Sequence, residues 1–243
     1  MKLSNNGTDA LRDIDITNGE CRSAADDADI VLAAALTKQI DASWAAGDDA
    51  GGLSSSLSAP AVDTWYHVHA IIVAGAADVG FDTSITAANL VADHSATAYR
   101  RIGSVLTDGS SNIIAFVQDG DLFQWSAPVN DVSVSNPGTD AVLRALSTPL
   151  GVKTLAKMVV QINNENGVAS GQTIITGPDV ADTAPDSSNV VGIVNQNTTD
   201  SAFYYECMTD TSSQIRTHAT ATSANSGIKM TTFAYVDRRG KGD

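Results

Sequence analysis

Two histidines one residue apart, His67 and His69, are the first candidates for chemistry in this chain. On a strand, residues i and i+2 project from one face, here about 7 Å apart, and an imidazole nitrogen is a common metal ligand. Without a carboxylate they form a minimal ligand set, although three copies around a three-fold axis would offer six nitrogens. The residues favour the plainer reading, two partly buried strand histidines with hydrogen-bond partners, so no metal or cofactor is expected.

Arginine supplies the second candidate chemistry. Arg100-Arg101 and Arg238-Arg239 stand as adjacent pairs in a chain of formal charge −14. Strand alternation sends adjacent side chains to opposite faces. One arginine of each pair then points inward and needs a carboxylate or carbonyl partner, for which Asp119, Asp121 and Asp237 are candidates. Arg100, Arg101, Asp119, Asp121, Arg238 and Arg239 therefore read as structural anchors rather than ligand contacts. Asp179, Asp182 and Asp186, in a loop with Pro178 and Pro185, lack EF-hand spacing. They read as a solvated acidic loop, as do Asp26, Asp27 and Asp29. No GxSxG, HExxH, P-loop or GxGxxG occurs, and nothing singles out a pair of carboxylates for glycosidase chemistry. The expectation is no enzyme.

Composition narrows the class further. The 243 residues are 43% hydrophobic but only 5% aromatic and 17% charged. That length buries a real core in one large or two smaller β-domains. An acidic balance repels a phosphate backbone, so no nucleic-acid partner is expected. No apolar run approaches the ~18 residues a membrane helix needs, and no signal segment opens the chain, so no membrane insertion and synthesis in a cytoplasm are expected. Cys21 and Cys207 form no CxxC, and their pairing stays open.

The elements that must position these residues are mostly strands. Asp13–Thr17 alternates and ends at Asn18-Gly19, a turn pair. Leu36, Ile40 and Trp44 recur every four residues, with Thr37 as cap and Gly47 as stop, which predicts one short helix near 36–46. The Gly/Ser-rich run 48–60 predicts a loop. From Trp65 the period becomes two, with apolar residues on both faces. Asn112–Trp125 predicts a hairpin through a type I′ turn at Asp119-Gly120. Turn residues between Pro128 and Pro137 divide the chain into an N-terminal β-rich lobe, 1–129, and a C-terminal β-sandwich lobe, 130–243. Further strands are predicted at 156–162, 172–176, 190–195, 202–208, 213–219 and 228–236. The expected fold class is mainly β, two β-sandwich, jelly-roll-like lobes with one short N-terminal helix.

An ordered set of phrases runs through the chain: Asp13-Ile14-Asp15-Ile16, Cys21-Arg22, Leu36-Thr37-Lys38 with Asp41 and Trp44, and Gly51-Gly52-Leu53. It continues through Trp65-Tyr66-His67, Asp78 with Phe81-Asp82-Thr83-Ser84, Tyr99–Ser104 and Gln118-Asp119-Gly120-Asp121. Asp237-Arg238-Arg239-Gly240 closes it. The set resembles tail-fibre and related appendage proteins of tailed bacteriophages. In that family the first histidine position is commonly His and the second varies, and some trimeric phage spikes hold metal on their axis. The resemblance implies a β-rich virion structural protein, often trimeric. Its partners would be other copies of itself, other phage tail or capsid proteins and, for some members, a host surface glycan. A tip, collar or adaptor in the tail-fibre complex is the leading expectation; a capsid head fibre or decoration protein is the alternative. For glycan contact, Trp65, Tyr204, Tyr205 and Gln214 are the candidate side chains.

Overall fold

In the computed structural model, which describes residues 1–164, 172–186, 192–193, 201–220 and 226–240, the chain is mainly β. It divides into two units: Met1–Ser126 together with the stretch from Arg238, and Ala127–Asp237. The expected boundary near 130 therefore lies at 126/127, and the residues from Arg238 onward return to the first unit instead of closing the second.

The first unit contains β1 (Leu3–Asn5), β2 (Asp13–Ile16), β3 (Gly19–Arg22), β4 (Asp29–Leu32), β5 (Leu36–Ser43), β6 (Ala50–Leu53), β7 (Trp65–Val73) and β8 (Ala76–Asp82). Helix α1 (Ala88–His94), β9 (Ala98–Leu106), β10 (Phe116–Asp119) and the start of β11 (Leu122–Ser135) follow. Its main sheet runs β10-β1-β2-β5-β6-β8-β7-β9, and β3 pairs with β4 alone. The neighbours are antiparallel except β5–β6 and β6–β8, which run parallel. Every residue from Trp65 to Ile71 is buried, so β7 is covered on both faces.

Residues 36–43 form a strand, not the expected helix. A spacing of four is a multiple of two as well as close to one helical turn, so Leu36, Ile40 and Trp44 satisfied both periods. The deciding residue is Lys38, fully buried between Leu36 and Ile40. A lysine reads as polar, and this hid the alternation. The expected loop 48–60 also contains strand β6. A Cβ on Gly51 would stand 2.1 Å from the Ser43 carbonyl oxygen, and one on Gly52 would stand 2.7 Å from the Phe81 ring. The glycines here permit close backbone approach instead of signalling a turn.

The α-helix of the described residues lies at Ala88–His94. Buried Asp82 holds its start: Oδ2 accepts the Asn89 and Leu90 amides at 2.9 and 3.0 Å, and Oδ1 accepts Asn89 Nδ2 at 2.7 Å. The anchoring carboxylate comes from β8, several residues upstream, so no local cap pattern announced it. In the β10–β11 hairpin, Asp119 pairs with Leu122, leaving Gly120-Asp121 as the two-residue loop. Gly120 has φ 59° and Asp121 has negative φ. That is the type II′ pattern, one residue beyond the expected I′ turn.

The second unit contains the rest of β11, then β12 (Val142–Ala145), β13 (Leu155–Asn164), β14 (Gln172–Thr176), β15 (Gly192–Ile193), β16 (Ser201–Met208), β17 (Gln214–Ala219) and β18 (Ser226–Val236). The remainder of the strand expected at 190–195 lies outside the described residues. One sheet of this unit runs β16-β13-β18-β11 and the other β12-β17-β14-β15. Met158, Val160, Ile228 and Met230 from the first meet Ile175 and Ile215 from the second in one core. Alternation along β13 and β18 sends these residues inward and their neighbours outward.

Candidate functional site

The histidine pair lies inside the first unit. His67 and His69 are 2% and 0% exposed, with ring centroids 6.3 Å apart. Neither reaches the surface, so the six-nitrogen site on a three-fold axis is ruled out for them. Among the described residues no group of three or more His, Cys, Asp or Glu could hold a metal. His67 Nδ1 lies 2.8 Å from Ser104 Oγ, which also accepts Arg101 Nη1 at 3.1 Å. A buried serine–histidine contact beside a guanidinium is poorly suited to nucleophilic chemistry, because the cation opposes the imidazolium that a general base becomes. His69 donates from Nε2 to the Ser84 carbonyl at 2.9 Å, leaving buried Nδ1 without a hydrogen-bond partner. Burial above all, and then the Arg101 charge, push its pKa down to about 3.

The two arginine pairs, distant in sequence, meet in the first unit. Arg100 Nη2 donates to the Arg239 carbonyl at 3.0 Å, and Arg239 Nη2 lies 2.5 Å from Asp121 Oδ1. Arg239 also donates to the carbonyls of Ile102 and Gly120, both at 3.3 Å. Asp119 is exposed at the hairpin end and Arg238 is exposed beside the return. Asp237 is buried. Opposite β7, strand β9 carries one extra residue between Arg101 and Gly103. This bulge interrupts strict alternation, and both Arg100 and Arg101 border one cavity.

That cavity has a volume of about 610 Å³ and is bordered by Arg22, Arg100, Arg101 and Arg239 together with Glu20, Cys21, Ser23 and Asp26. Four of the chain's 14 basic residues converge here. Arg22 is committed to Asp26 and Asp29 at 2.9 and 3.0 Å. Arg100 forms no ion pair among the described residues and has the Arg239 carbonyl as its one hydrogen-bond acceptor there. Cys21 and Cys207 are both free thiols. Burial raises the Cys21 pKa and the nearby Arg100 charge opposes that rise. Cys207 sits in the second unit's core, where burial pushes it up to about 11. Sequence reasoning named both arginine pairs as anchors but placed Arg22 only in a family-like phrase and missed the cavity, because nothing local announces which strands a bulge brings together.

A second constellation was invisible in sequence. Lys38 Nζ lies 2.9 Å from Asp78 Oδ1 and donates to the Ala45 carbonyl at 2.7 Å. Asp78 also accepts the amides of Gly47 and Val79. Desolvation lowers the Lys38 pKa and the Asp78 contact opposes that fall. Both ends are buried and partnered, so the pair organises the fold instead of meeting substrate.

In the second unit, Tyr204 on β16 is 53% exposed. Its ring lies 5.7 Å from Phe233 and 5.8 Å from Lys157 Nζ, and Lys157, Tyr204 and Glu206 hydrogen-bond together on the outer sheet face. Hydrogen bonds from Lys157 and Tyr204 hold the Glu206 carboxyl below its usual range. Of the other glycan candidates, Trp65 is buried against Trp125, Tyr205 is half-buried and donates to the Ile175 carbonyl at 2.8 Å, and Gln214 is partly buried on β17. In the acidic loop, Asp179 pairs with Lys153 and Asp182 with His218. No helix of the described residues is long and apolar enough to cross a membrane.

A scan against protein-family models and searches of curated proteins and of solved structures gave no match to this chain.

Proposed function

We propose that this chain is a non-enzymatic structural protein of a tailed-bacteriophage particle, a tip, collar or adaptor of the tail-fibre complex. It acts as a homotrimer of β-sandwich, jelly-roll-like units and contributes to host-surface attachment. The observation that supports this reading best is where the family-like phrases fall. All of them except Asp237 lie in the first unit. There Lys38, Asp78, Asp82, Gln118 and Arg239 fill its buried ion pair, helix anchor and hairpin contacts. The second unit, set between Ser126 and Arg238, carries none of the rest. A unit that carries the family-like phrases, joined in sequence to one that does not, suits an appendage that must both join a particle and meet a host surface.

Host contact is placed on the Tyr204 face, where an exposed ring flanked by Lys157 and Glu206 offers stacking together with polar hydrogen bonding. Single contacts of this kind are weak, and several copies on one particle add through effective concentration. Tyr204→Ala is expected to reduce particle adsorption while leaving folding unchanged. Electron microscopy of intact particles tests the assignment itself. Density at the tail in multiples of three supports it, whereas density across the capsid lattice overturns it in favour of a head-fibre or decoration protein.

A further inference from the structure

We infer that the arginine-lined cavity of the first unit binds a small hydroxylated carboxylate, an acidic sugar of the hexuronic type. The inference does not depend on the proposed virion role. The cavity, about 610 Å³, has the dimensions of a small-molecule site, roughly 300–1,000 Å³. Arg100 supplies the charge. Among the described residues its half-buried guanidinium is matched to a single backbone carbonyl and to no carboxylate. The remaining N–H groups form the planar fork that receives a carboxylate in two parallel hydrogen bonds.

Arg101, 8% exposed, adds positive potential from the cavity wall. Gly240 leaves room for the fork: a Cβ there would stand 3.0 Å from Arg100 Nη2, and its φ of +73° already disfavours a side chain.

The rest of the lining selects among anions. Glu20 and Asp26 border the same space, and their carboxylate oxygens outside the Arg22–Asp26 contact suit ligand hydroxyl groups. Inorganic phosphate has no sugar hydroxyls to reach these oxygens, so a hydroxylated carboxylate is favoured over it. Cys21 borders the same space and is a free thiol, which gives a built-in reporter of occupancy.

Calorimetric titration of the full chain with D-glucuronate, D-glucose, acetate and inorganic phosphate tests the inference. Glucuronate is expected to bind at least about tenfold more tightly than any of the other three. Arg100→Gln is expected to weaken glucuronate at least about tenfold, while Lys229→Gln, on β18 of the second unit, leaves it unchanged. In the unaltered protein, saturating glucuronate is expected to slow iodoacetamide alkylation of Cys21, a readout that needs no variant to fold. Equal binding of glucose removes the carboxylate from the inference, and equal binding of acetate removes the sugar. Tighter phosphate binding, or glucuronate binding with no protection of Cys21, overturns the site.

Discussion

Both units bury hydroxyl groups, but among the described residues buried charge and imidazole are concentrated in the first. In the first, Lys38, His67, His69, Asp78, Asp82 and Arg101 are all buried, and each that is described in detail is tied to a named partner by charge or hydrogen bond. In the second, the buried polar groups of the described residues before Asp237 are hydroxyls: Thr148, Thr154, Thr173, Thr209, Ser213, Thr217, Ser226 and Thr232. A buried charge tolerates only one partner geometry, because losing the partner leaves an ion in a low-dielectric interior. A buried threonine asks far less: it suits a strand and one neighbour satisfies its hydroxyl. One unit is specified by particular residues and the other by alternation.

The sharpest break in that comparison is at Asp78. Asp78→Ala leaves Lys38 buried without its counter-ion and is expected to cost about 3–5 kcal/mol in denaturant unfolding. The double change Lys38→Met with Asp78→Leu should recover most of that loss, since similar apolar volume replaces both charges. If the single and double variants unfold alike, the contrast between the units loses its basis.

Acid gives the next largest effect. His69 titrates at about 3 when folded, against an ordinary histidine value near 6.5 when unfolded. Between those values the unfolded chain binds more protons, so stability is present above ~6.5 and drains as pH falls toward 3. The slope has an upper limit of about 1.4 kcal/mol per pH unit for one proton. Asp13, raised to about 6 chiefly by burial and nearby carboxylates, works in the opposite direction. The comparison that isolates His69 is therefore the loss between pH 7 and 4.5 in the protein and in His69→Gln. The variant should lose less; an equal loss would show that another group carries the acid response.

The smallest effect should come from the second unit. Thr154 and Thr209 hydroxyls lie 3.2 Å apart, and Thr209 Oγ1 also accepts the Thr154 amide. Thr209→Val is expected to cost about 1–2 kcal/mol, because it leaves the buried Thr154 amide without its acceptor. A loss matching that of Asp78→Ala would erase the distinction.

The same distinction governs what the sequence could disclose. Alternation from Trp65, and strand patterns at 156–162 and 228–236, announced strands directly, because a period of two needs only side-chain polarity. Residues 36–43 misled because the alternation there runs through Lys38, whose burial depends on Asp78, forty residues away. The Gly51-Gly52 run misled because a missing side chain marks either a turn or a close approach. Helix α1 was missed because its anchoring carboxylate sits on the preceding strand. The arginines stood out by type, yet the cavity depends on a bulge opposite β7 and on the return of Arg239, neither of which leaves a local trace.

The return of the chain at Arg238 has a consequence for synthesis. The first unit holds over a hundred consecutive residues, but its Asp121 and Arg100 contacts wait for Arg239. On the ribosome that delay spans the whole second unit, which can fold as it emerges. A nascent chain halted before residue 239 would carry a first unit without these contacts, so their completion reports that the intervening unit has been made.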